Sequence, residues 1–125
     1  MSVSYDCYCD GDPPTWVSFR DVKRSRKPHK CCECHAPIPV GSAYEYTSGL
    51  WDGEQQDFHI CQLCVELREW ARISVPCFCW TYGDMHENVR DMVQEVAPSV
   101  PGFFMEWGRR MVKIRRRKLE LREDS

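Results

Sequence analysis

Two C-x2-C pairs constrain this chain more than any other feature. Cys31-x2-Cys34 and Cys61-x2-Cys64 are separated by 26 residues. The spacing lets two sulfurs of each pair converge on one ion at about 2.3 Å, with the intervening backbone N–H groups turned toward them. Four thiolates complete a closed tetrahedral shell, which leaves no position for a substrate and so implies a structural zinc. The chain needs such a staple. It has 125 residues, few aliphatic side chains, and five each of Trp, Tyr and Phe. A single domain of that size buries only a modest core.

The segment between the pairs reads as a hairpin. Ala43-Tyr44-Glu45-Tyr46-Thr47 alternates, Asp52-Gly53 is a turn signal, and Asp57-Phe58-His59-Ile60 alternates again into Cys61. Gln62 to Ile73 then carries helical periodicity, with Leu63, Leu67 and Trp70 on one face and Glu66, Arg68, Glu69 and Arg72 mostly away from it. Knuckle, hairpin and helix in this order predict a treble-clef zinc finger within a small α+β fold.

Nine cysteines in all make disulfide closure leave one thiol over. The first residues carry neither the basic start nor the apolar run of a signal peptide, and no stretch reaches the ~18 apolar residues of a membrane span. The expectation is a soluble cytoplasmic protein with reduced thiols. Cys7-x-Cys9 and Cys77-x-Cys79 then supply a second four-sulfur zinc site, pinning an N-terminal arm to the segment after the helix. Two alternatives stand beside it: buried, unligated cysteines, and an interleaved set in which Cys7 or Cys9 exchanges with Cys32. In the first arrangement Cys32 is the bystander, and Cys32 and Glu33 turn outward at the knuckle. His29 and His35 flank the knuckle without being needed as ligands. His59 on a hairpin strand resembles the general base of a treble-clef nuclease, but the helix that follows offers no His or Asn to hold a catalytic metal. A metal-dependent nuclease is the minor reading.

Charge is unevenly spread. Residues 1–30 hold six Lys/Arg against four acids, residues 31–105 three against eleven, and residues 106–125 eight against four. Any nucleic-acid contact must therefore use the flanks. A second helix is expected over Asp84 to Val96, started by Asp84 and Glu87 in a capping-box pattern and buried through Met85, Val89, Met92, Val93 and Val96. Ala97 to Pro101 breaks it, and a third helix is expected to start near Pro101, since proline suits a first helical position. Phe104, Trp107, Met111 and Ile114 form its expected apolar stripe, with Arg109, Arg110, Lys113, Arg116 and Arg117 opposite and Arg115 at the border. The chain divides as a zinc-stapled domain over 1–97 and a basic amphipathic helix over 98–125. Those five cations are the candidate phosphate contacts. The plainer reading is a solvated face that offsets the acidic middle; membrane-surface binding is disfavoured by the single short apolar stripe.

Several short motifs together resemble one family. They are Cys7-Tyr8-Cys9-Asp10, Asp12-Pro13-Pro14, Arg26-Lys27-Pro28-His29-Lys30-Cys31, Glu33-Cys34, Ile38-x2-Gly41, Tyr44-Glu45, Gly49-x-Trp51-Asp52-Gly53, Phe58 through Cys64, and Cys77-Phe78-Cys79-Trp80 with Gly83. The family is that of small cysteine-rich, zinc-finger-like proteins of bacteriophages and prophages, and the resemblance covers about residues 7–90. It implies a phage origin and leaves Cys32 outside the ligand pattern. The expected function is non-enzymatic regulation through nucleic-acid binding. The alternative is an inhibitor or adaptor that occupies a host complex, such as a defence complex or RNA polymerase. Neither reading involves a small-molecule substrate.

Overall fold

The computed structural model describes residues 14–123. It is a small α+β structure of five strands and three helices: β1 (Trp16–Val22), β2 (His29–Lys30), β3 (Pro37–Ile38), β4 (Tyr44–Trp51), β5 (Glu54–Cys61), α1 (Gln62–Ser74), α2 (Met85–Val96) and α3 (Phe103–Glu123), with a 3-10 turn (Ala97–Ser99) between the last two. β1, β4 and β5 form an antiparallel sheet with β4 in the centre, and β2 pairs with β3 around the first cysteine pair.

Asp52 and Gly53 make the β4–β5 turn, both with positive φ (51° and 80°). That is the geometry a two-residue hairpin needs to match the twist of its strands. Trp51 then pairs with Glu54 and Tyr44 with Cys61, which delivers Cys61 to the start of α1. Gly49 sits in mid-strand because the indole of Trp51 lies over it; a Cβ there would meet that ring at 2.5 Å. β1 was not legible in the sequence. All but the last of its residues are exposed, so no alternation of buried and exposed positions marks it.

The sheet has two unlike faces. Glu45, Thr47 and Ile60 point inward and are buried, as are Leu67, Trp70 and Ala71 of α1. Met85, Val89, Met92, Val93 and Val96 of α2 are all buried, as the spacing predicts, and Phe103 and Ile114 bring in α3. α3 thus packs back on α1, α2 and β3.

Four expectations change in the fold. Asp84 occupies the N-cap of α2 but makes no side-chain capping bond. Glu33 caps the helix from across the chain instead: its carboxylate accepts the N–H groups of Gly83 and Met85 at 3.1 and 3.2 Å. Glu33 is consequently buried, not turned outward. Arg68, expected to lie off the packed face of α1, is also buried, because Glu45 of β4 receives its guanidinium through two bonds of 2.6 and 2.7 Å. The last change is at the start of α3: Trp107, Met111 and Ile114 pack inward as expected, but Phe104 does not. Phe103, not Phe104, anchors the helix by stacking on Trp70 at 4.9 Å between ring centres, and Phe104 is 58% exposed.

Candidate metal centre and basic surfaces

The knuckle is a tight turn between β2 and β3. The Cys31 N–H bonds the Ala36 carbonyl at 2.9 Å, and the His35 N–H bonds the Cys31 carbonyl at 3.0 Å. His35 completes the turn in the left-handed region (φ 62°), with its ring exposed. Its contribution is a backbone conformation that costs most residues about 1 kcal/mol or more.

The turn brings Cys31 and Cys34 against Cys61, the N-cap of α1, and Cys64 in its first turn. The four sulfurs all lie within 4.8 Å of one another. A tetrahedron with metal–sulfur bonds of ~2.3 Å has sulfur–sulfur edges of about 3.8 Å, and Cys34 and Cys61 are 3.7 Å apart. A disulfide would need about 2.05 Å. The donor set and spacing therefore fit a metal ion. The backbone N–H groups of Glu33 and Cys61 each reach the Cys31 sulfur at 3.4 Å. Hydrogen bonds from the thiols of Cys34, Cys61 and Cys64 push Cys31 far below the usual thiol range. Cys61 and Cys64 are pushed the other way, first by sharing their protons with Cys31. The start of α1 adds its partial positive charge to the site.

Sequence reasoning missed His86. Its Nε2 lies 3.2 Å from the Cys64 sulfur, and burial holds its ring below the usual imidazole range, so it is neutral at pH 7. With the proton on Nε2 it donates to the sulfur, as outer groups around a metal site commonly do. His86 and the Glu33 cap together tie α2 to the cysteine cluster. No local signal could have revealed this, because 22 positions separate His86 from Cys64.

Cys32 stands apart from the four sulfurs and packs half-buried against the core. Burial, and then the Glu33 carboxylate, push its thiol up, so it stays protonated. Cys32→Ser is expected to keep metal content and fold, while Cys34→Ser should lose an ion. Elemental analysis of the two purified variants checks this; loss of metal from Cys32→Ser alone would reverse the assignment.

Cys77 and Cys79 are exposed, with sulfurs 3.8 Å apart. Cys7 and Cys9, their expected companions, lie outside the described residues.

On α3, Arg109, Lys113, Arg115, Arg116 and Arg117 are exposed. Arg110 is not among them. It turns inward, where its guanidinium lies 5.4 Å from the centre of the Trp70 ring and 3.6 Å from Glu106. Arg117 is 3.7 Å from Glu120. Leu63, Phe104, Met105 and Val112 alternate with the cations along a groove of about 820 Å3. A second cationic surface surrounds β1, where Arg20, Lys23, Arg24, Arg26, Lys27 and Lys30 are all exposed.

Comparisons with protein-family models, with curated proteins and with solved structures returned no match.

No helix among the described residues is long and apolar enough to cross a membrane.

Proposed function

We propose that this chain is a non-enzymatic zinc-finger module of treble-clef type, of phage or prophage origin, that binds nucleic acid through cations on its two flanks. The exposed cations of α3 carry this reading. Among the described residues, no carboxylate lies within salt-bridge distance of Arg109, Lys113 or Arg116. Unneutralised cations along one helix are what phosphate contact requires, since each contact releases condensed counterions. The order of knuckle, β4–β5 hairpin and α1 supports the treble clef. The four-cysteine donor set would hold a structural zinc with its coordination closed. The 3.8 Å separation of Cys77 and Cys79 matches a tetrahedral edge and supports a second zinc completed by Cys7 and Cys9.

Replacing Arg109, Lys113 and Arg116 together with Gln should leave folding nearly unchanged, because all three are exposed. Binding to duplex DNA or RNA should weaken similarly for every sequence. The slope of log affinity against log salt should flatten by roughly one unit per lost contact. A triple variant that binds as tightly as the wild type would end the reading for α3.

The exposed apolar residues of the same helix favour a second reading. Phe104, Met105 and Val112 are 58%, 63% and 47% exposed. Between cations, they suit an acidic amphipathic segment of a host protein. Affinity purification from the host with and without nuclease treatment separates the two readings. A host protein that stays bound after nuclease treatment supports the adaptor.

A further inference from the structure

The face of the β1–β4–β5 sheet turned away from the helices carries a surface that the α3 reading does not use. Even-numbered residues of β1 share this face. Trp16 registers with Leu50, Ser18 with Ser48, and Arg20 with Tyr46. Across β4, Tyr46 registers with His59 and Ser48 with Asp57. The rings form a continuous cluster. His29 stacks on His59 at 4.0 Å, with 14° between their planes, and Tyr46 and Tyr44 lie 5.3 and 5.5 Å from His59. The Arg20 guanidinium sits 5.5 Å from the centre of the Tyr46 ring. Trp16, 44% exposed, lies four residues from Arg20, about 13 Å along the strand.

The charge around these rings is mostly positive, with the Asp57 carboxylate beside Tyr46 as the exception. Residues 20–30 hold six exposed cations, and their single acid, Asp21, has odd parity and points to the other face. Asp57 is the one carboxylate on the ring-bearing face, where it accepts the Ser48 hydroxyl at 3.0 Å. An exposed Trp16, the half-buried rings of Tyr46, His29 and His59, and a guanidinium on a sheet, bordered by cations, are the elements that hold unpaired bases and their phosphates. A duplex hides its base faces, so it could use the cations and not the rings.

We infer that this sheet face binds single-stranded nucleic acid, with bases stacked on Trp16 and Tyr46 and phosphates held by Arg20 and the cations of residues 23–30. The inference rests on the nucleic-acid reading above and adds to it a site and a strand preference.

The test uses the full chain, a short labelled oligothymidylate, and an abasic phosphodiester strand of equal length. The oligothymidylate should bind roughly ten-fold or more tightly than the abasic strand, the scale of one base stacked on an aromatic ring. Tyr46→Leu should remove most of that difference. Trp16→Ser removes a partly exposed ring and tests the same point should the Tyr46 variant fold poorly. Arg20→Gln should weaken both strands. If wild-type protein binds both strands equally, and the triple α3 variant weakens both, the sheet site is overturned and the α3 reading stands. If neither strand binds, the sheet site is overturned, and duplex binding by the wild type decides the α3 reading.

Discussion

Removing metal with a strong chelator should unfold most of the described chain. A structural tetrathiolate zinc contributes on the order of 10 kcal/mol to folding, comparable to the whole stability of a typical domain. The geometry says why the loss should spread. Cys31 and Cys34 hold the knuckle, Cys61 ends β5, and Cys64 lies in the first turn of α1. His86 bonds the Cys64 sulfur, and Glu33, inside the knuckle, caps α2. Without the ion, four sulfurs within 4.8 Å of one another would have to share protons in a buried site. The far-ultraviolet circular dichroism signal should collapse on chelation and return when zinc is restored. Elemental analysis should give about two ions per chain, and a count of one would remove the site built on Cys77 and Cys79. A chain that keeps its fold with the metal shown to be gone would remove both.

Arg68→Met should cost about 3–5 kcal/mol, the range for removing one partner of a buried ion pair. Arg68 and Glu45 are each only 6% exposed. The guanidinium is bonded to both carboxylate oxygens, and those bonds push its pKa further up. It also lies 5.4 Å from the centre of the Trp80 ring, so it holds the segment after α1 as well as β4. With Arg68 gone, Glu45 would be left as a buried charge without its partner, and Tm should fall by roughly 10–20 °C. Pairing the change with Glu45→Leu should restore much of the loss, because the penalty lies in the stranded charge. Thermal unfolding of the metal-loaded single and double variants measures it. A single variant as stable as the wild type would show that the pair contributes little.

What could be read from the sequence was local. A C-x2-C pair brings its own sulfurs together within one turn, so Cys31, Cys34, Cys61 and Cys64 could be grouped before any fold was known. An Asp-Gly pair between alternating strands marks a hairpin because few residues reach the positive φ that Asp52 and Gly53 adopt. The stripe of α2 was legible because its buried residues recur at helical spacing with no ambiguity of phase. α3 lacked that clarity. Phe103 and Phe104 are adjacent and equally apolar, and only the ring of Trp70 decided which one faces inward. The same ring takes Arg110 off the exposed face.

The sequence by itself determined the four-cysteine cluster, the hairpin and the helical segments, because each depends on residues a few positions apart. Tertiary structure alone decided that Glu33 caps α2, that Arg68 meets Glu45, that His86 reaches Cys64, and that β1 completes a sheet with an exposed ring-bearing face. These contacts join positions 22 to 52 residues apart. A charged or polar residue with such a partner looks, in sequence, like any solvated one. Burial makes the partner obligatory, and burial exists only once the chain has folded.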